Sequence, residues 1–135
     1  MKTKQFIKDQ KGAAIVEFAI VLPLLVLLVF GIIEFGILLY NQSVITNASR
    51  EGARAGITGL DESAIAAIAV NYCQDRLITF TDTQSDPVPT VVRDGGSPQE
   101  TLTVSITYNY TLLVSQLFGM GPEKLLTAKT VMFME

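Results

Sequence analysis

The stretch that most constrains this chain covers residues 13–40, 28 positions in which the only charges are Glu17 and Glu34. As a helix it would be ~42 Å long, more than the ~30 Å hydrocarbon core of a bilayer. The uninterrupted part between the two glutamates, residues 18–33, gives ~24 Å, workable for a span with a glutamate near each interface. A carboxylate in hydrocarbon costs roughly 3 kcal/mol on insertion scales, so Glu17 in particular needs an explanation. The segment before the run, MKTKQFIKDQKG, is basic and polar, which predicts a cytoplasmic N-terminus and an exported remainder. A cleaved secretory signal normally has an apolar core of ~7–15 residues closed by a small-residue site. Here the run continues through LVFGIIEFGILLY without one, so the stretch is read as retained. Pro23 removes one backbone donor inside the run and predicts a kink or a loosened turn near Ala19.

Charge divides the chain at the same junction. Residues 1–12 carry Lys2, Lys4, Lys8 and Lys11 against Asp9, whereas the rest holds six basic and twelve acidic side chains. A product without the first twelve residues would be acidic, which argues against nucleic acid as a partner, since phosphate binding needs a concentrated basic face. There is no histidine and a single cysteine, Cys73. No intramolecular disulfide or Cys/His zinc site can form within one chain, and the commonest general base is missing. With no Gly-rich phosphate loop either, no catalytic site, cofactor or small-molecule substrate is expected. Asp82, Asp86, Asp94 and Glu100 fall in or beside turn-rich sequence, where solvated acids are ordinary. Cys73 reads as a small buried residue, with an intermolecular disulfide as the alternative.

Beyond Tyr40 the helical pattern continues, with Val44, Ile45, Ala48 and Ala55 supplying apolar contacts and Asn41, Asn47, Ser49 and Arg50 polar ones. One helix is expected over residues 14–55, stopped by Gly56 and Gly59. Asp61 is a plausible N-cap, with Glu62 in the first turn, for a second helix, ESAIAAIAVNYCQDRLITF, whose Ile65, Ile68, Ala69, Tyr72 and Cys73 share a face. The period then changes to two. TLTVSITYNYTLL places Leu102, Val104, Ile106, Tyr108, Tyr110 and Leu112 on one side, a half-buried strand. PTVVR followed by DGGSP predicts a hairpin between residues 88–93 and 100–112, and LLTAKTVMFME a third strand. The fold class is α+β: a long helix, a short helix, then an antiparallel sheet of about three strands covered by the amphipathic half of the first helix. VSQLFGMGPEK reads as a loop whose Leu117, Phe118 and Met120 either tuck under the sheet or face a neighbouring subunit or the membrane.

The junction itself is distinctive. Lys11-Gly12 is followed by Ala13-Ala14-Ile15-Val16-Glu17-Phe18 and then the long apolar helix. This resembles a type IV prepilin leader, and the short leader and Glu-Phe pair are similar to its tight-adherence (Tad, type IVc) branch. A second block, ASREGARAGI at residues 48–57, resembles the REGAR signature of TadE-like minor pilins, or pseudopilins. Major pilins of this branch usually carry Tyr where this chain has Phe18. The resemblance covers residues 11–57 and implies a division into a leader, 1–12, a transmembrane and assembly helix, 13–40, and an exported α+β domain, 41–135. It implies cleavage by prepilin peptidase after Gly12, leaving Ala13 as an inner-membrane N-terminus, and subunit docking through Glu17 and Phe18. Expected partners are other pilins, minor pilins and the inner-membrane assembly platform, and the destination is the pilus at the cell surface. Arg50, Glu51, Gly52, Ala53 and Arg54 are expected either to recognise a partner pilin or to pack on this chain's own sheet. Glu34 would sit at the outer interface or pair with a partner's basic group. An uncleaved bitopic membrane protein with an exported binding domain is the competing expectation.

Overall fold

In the computed structural model the described residues are 10–80, 85–95, 100–117, 119 and 123–134. Their order is α1 (Gln10–Ile57), α2 (Glu62–Cys73), β1 (Val88–Asp94), β2 (Glu100–Thr111), α3 (Leu113–Leu117) and β3 (Glu123–Met134). The α+β class, the long apolar helix, the short second helix and the three antiparallel strands are all as the sequence pattern requires. Strand order is β1-β2-β3, with Val91 opposite Val104 and Val104 opposite Thr130. The tip of the first hairpin, residues 96–99, lies outside the described residues.

Alternation along β2 sets the core. Leu102, Val104, Ile106, Tyr108 and Tyr110 are buried, while the intervening Thr and Ser residues face the open side. The buried face is covered by α1 and α2 through Val44, Ile45, Ala48, Ala53, Ile65, Ala69 and Cys73. Helix α1 runs antiparallel to β2 and parallel to β3. Glu34 lies beside Leu113 and Val114, just past the end of β2, and the position of Gly56 lies beside Leu102 near its start. Gln42 bonds Thr127 and Ser49 bonds Thr130.

Helix α1 continues through Pro23. Three local features depart from the sequence reading. Gly56 is not a stop: it is buried inside α1 against Leu102, and the left-handed residue that ends the helix is Gly59, at φ +84°. Thr58 assists by donating from Oγ1 to the Ala55 carbonyl, 2.6 Å away. Helix α2 ends at Cys73, short of the QDRLITF extension, with Asp75 in the left-handed region at φ +59°. The cause lies across the fold. Asn41 Nδ2 donates to the Ile78 carbonyl (2.7 Å), and the Ile78 N–H donates to Asn41 Oδ1 (2.9 Å). A backbone held this way cannot also close helical bonds, so the chain turns and buries Leu77 instead. Finally, residues 114–117 of the expected loop belong to α3, which begins at Leu113. The Leu117 side chain, Phe118 and Met120 lie outside the described residues.

Asp61 does occupy the N-cap position of α2 in extended backbone, but its carboxylate accepts from the Ser63 hydroxyl rather than from the helix amides that a cap would satisfy.

Candidate functional site

Two regions of α1 carry the chemistry singled out by sequence, and they differ in what surrounds them. The first is its N-terminal half. Residues 13–26, 28–30, 32 and 33 are all exposed, with Ile15, Phe18, Ile20 and Leu24 each more than 60% so. Domain packing begins at Glu34, which is 6% exposed. The uncovered part, residues 13–33, is about 32 Å long as a helix, close to the hydrocarbon thickness of a bilayer. Helix α1 is long and apolar enough to cross a membrane over residues 12–57 by length and composition. Gly12 and Ala13 lie inside this helix near its N-terminal end, and Glu17 and Phe18 are exposed one turn on. The expected processing position and the glutamate are therefore on one continuous rod.

Glu34 has a different fate. Its carboxylate accepts from the main-chain N–H of Leu113, and Oε2 accepts from that of Val114 at 3.1 Å. These are two of the orphan donors at the first turn of α3, which the charge of a carboxylate satisfies well. Its hydrogen-bond partners among the described residues are thus main-chain amides of its own chain. The Tyr110 hydroxyl lies in the neighbouring core with no hydrogen-bond partner among the described residues, and burial, with Glu34 adding to it, pushes its pKa up.

The second region is the turn from Arg50 to Arg54, and the structure separates its residues by face. Gly52 and Ala53 are buried inward: a Cβ on Gly52 would meet Ala69 Cβ and Val104 Cγ1 at 3.3 Å. The small residues of this turn therefore let α1 approach the chain's own α2 and β2. Arg50, Glu51 and Arg54 point outward. They line, with Asn47, Tyr72, Thr130 and Met132, an open groove of about 450 Å³. Among the described residues neither arginine is held in an ion pair. By contrast Arg76 stacks on Tyr72, 4.1 Å from the ring centroid, and Arg93 donates to the Leu60 carbonyl.

Sequence reasoning misses the polar side chains of the buried face. By residue type Asn41 and Ser49 group with Asn47 and Arg50 as a wet side, yet both are fully buried. Ser49 Oγ donates to the Thr46 carbonyl at 2.8 Å and shares a 2.7 Å hydrogen bond with Thr130 Oγ1. A signal for this is present: Asn41, Ile45, Ala48, Gly52 and Gly56 follow one another at helical spacing. Cys73 is buried, and loss of solvation pushes its thiol pKa up. Asp94, opposite Thr101, and Glu100 stand at the same end of the β1–β2 hairpin, Asp86 precedes β1, and Asp82 lies outside the described residues. Among the described residues no three His, Cys, Asp or Glu side chains converge.

No curated protein and no solved structure matches the chain. A family model described as TadE-like protein matches residues 12–54, from the basic-to-apolar junction to the second arginine of the exposed turn. The match spans about a third of the chain, and over that part α1 is similar to TadE-like proteins.

Proposed function

We propose that the chain is a structural minor pilin, or pseudopilin, that takes part in assembly or tip formation of a Tad-type (type IVc) pilus. The carrying observation is the TadE-like match beginning at Gly12, on a helix whose first half its own domain leaves uncovered. Prepilin peptidase cuts after Gly12, and the α-amine created on Ala13 is largely cationic at neutral pH, with a reference pKa of about 7.7–8. Glu17, exposed on the uncovered helix, meets the amine of an adjacent subunit. A buried carboxylate that gains a cationic partner recovers much of its desolvation cost, and a wrong register leaves both charges unpaired. Glu17 therefore sets register, Phe18 packs beside it, and residues 13–33 hold the precursor in the inner membrane and later join the helical core of the assembly. With the chain's N-terminus toward the cytoplasm, the exported domain presents Arg50, Glu51 and Arg54 to a partner pilin. Gly52 and Ala53 contribute by setting how α1 lies on the sheet. The role is structural rather than enzymatic.

The test is the intact mass of protein purified from its own membranes, with and without Gly12→Ser. A species beginning at Ala13 that the variant loses is the expected result. Full-length mass in both would overturn the pilin reading in favour of an uncleaved bitopic protein with an exported binding domain.

A further inference from the structure

The two edges of the sheet are not equivalent. The β1 edge is seven residues long and carries Pro89, which has no N–H to offer an added strand, together with the charged Arg93 and Asp94. The β3 edge is twelve residues long with neither Pro nor Gly, and among the described residues it has no second strand beside it. Its protection is confined to residues 123–129. Lys124 and Lys129 lie there, and Gln42 Nε2 covers the Thr127 carbonyl at 3.0 Å. The last five residues, Thr130-Val131-Met132-Phe133-Met134, have no charge at all, and they are the part whose Thr130 and Met132 share the groove with Arg50, Glu51 and Arg54. Exposed edges that lack such protection are templates for an added strand.

Topology excludes the simplest occupant. Pairing β3 with β3 of a second copy about a two-fold axis would set the strands antiparallel. Because α1 runs parallel to β3, the two long helices would then point in opposite directions. Two copies inserted in a membrane with the same orientation cannot do that. The edge therefore does not suit a two-fold pair of copies, and its occupant is indicated by the charges beside it.

We propose that residues 130–134 of β3 accept an extended acidic segment of a partner protein by strand addition. A carboxylate on the helix-facing side of that segment is held by the guanidinium groups of Arg50 and Arg54. These arginines are four apart on one helix face and line the groove that Thr130 and Met132 share, outnumbering its one carboxylate, Glu51, and planar guanidinium donors suit carboxylates. This rests on the partner-contact reading of the arginine turn and specifies what the turn recognises.

The experiment uses the full-length chain in detergent micelles and a fluorescent peptide of about ten residues, alternating threonine and valine, with two glutamates on one face. Fluorescence anisotropy should show saturable binding, at least about tenfold weaker when lysines replace the glutamates, and lost when proline interrupts the strand. The double variant Arg50→Glu, Arg54→Glu, whose sites are exposed, should reverse the charge preference. Amide exchange should slow at residues 130–134 on peptide addition. No saturable binding, indifference to charge or to proline, or protection on β1 instead would each overturn the inference. So would self-association that competes with the peptide. Peptide binding does not depend on leader cleavage, so its loss with normal processing refutes strand addition alone. Absence of cleavage with intact binding refutes the pilin reading alone.

Discussion

Substituting Gly56 by alanine should destabilise the α+β domain, while the same change at Gly52 should leave its stability nearly unchanged. A Cβ on Gly56 would lie 2.1 Å from Leu102 Cδ2 and 2.9 Å from Ile65 Cδ1. Carbon atoms pack at about 3.5–4.0 Å, so the Leu102 methyl must retreat by about 1.5 Å. It has little room, because Leu102 and Ile65 are both fully buried. Overpacking of this kind costs about 1–3 kcal/mol, and alanine in a helix returns about 0.5–1 kcal/mol relative to glycine. The net loss spans about 0–2.5 kcal/mol, and the closeness of the Leu102 methyl places Gly56 in the upper part of that range. At Gly52 the nearest atoms stand at 3.3 Å, with the Ile65 carbonyl at 3.5 Å. A shift of a few tenths of an ångström relieves them, and the helix gain offsets most of the cost. Urea denaturation of the full chain in micelles can measure both. The chain has no tryptophan, so the near-ultraviolet signal of the buried Tyr108 and Tyr110 reports the core. The midpoint should fall for Gly56→Ala at unchanged slope. A Gly56→Ala protein as stable as the parent, or less affected than Gly52→Ala, would refute the claim that Gly56 sets the spacing between α1 and the sheet.

Asn41→Ala should cost about 1–3 kcal/mol in the same titration, because it removes both bonds that fix Ile78. Removing the carboxylate in Glu34→Ala should speed amide exchange at Leu113 and Val114 at least severalfold, leaving β2 protected, as read by hydrogen exchange in micelles. Burial pushes the Cys73 thiol up, so at neutral pH it stays protonated in the folded domain. Iodoacetamide should therefore label it only after denaturation, which mass spectrometry can follow; rapid labelling of the native chain would contradict the packing of α2 on the sheet.

What is legible in the sequence is whatever one-dimensional period encodes. The alternation of Leu102 to Tyr110 specifies β2 and its buried face, because a strand's side chains have only two directions. The run from Ala13 specifies the uncovered helix, and the Arg50–Arg54 block marks the turn at the groove. The misreadings share another cause. The end of α2, the fate of Gly56 and the conversion of a loop into α3 are each decided by a residue 37 or more positions away: Asn41 acting on Ile78, Leu102 on Gly56, Glu34 on Leu113. No local window contains both members of such a pair. Polar residues on a helix read as wet, whereas Asn41 and Ser49 are buried because each meets a specific partner, as buried polar groups must.

The two glutamates in the apolar run now separate into two physical cases. Glu34 stands where the span ends and the domain begins, and two main-chain amides from just beyond β2 satisfy it. It ties the direction of the rod to the domain: α3 can dock only where Glu34 presents its carboxylate, so rotation of the domain about α1 would break the cap. Glu17 is exposed on the uncovered part of α1, with no hydrogen bond or ion pair among the described residues. In the proposed assembly, the α-amine of an adjacent subunit stabilises its carboxylate in the apolar surrounding. Glu34→Gln and Glu17→Gln should then behave oppositely. In Glu34→Gln the new side-chain amide still offers an oxygen to the α3 donors, and the change perturbs mainly the fold, by about 1 kcal/mol. Glu17→Gln should leave the denaturation midpoint unchanged and abolish incorporation into pili, scored by immunoblot of sheared surface fractions. Equal effects of both changes on stability, or normal incorporation of Glu17→Gln, would remove the physical basis for assigning them separate roles.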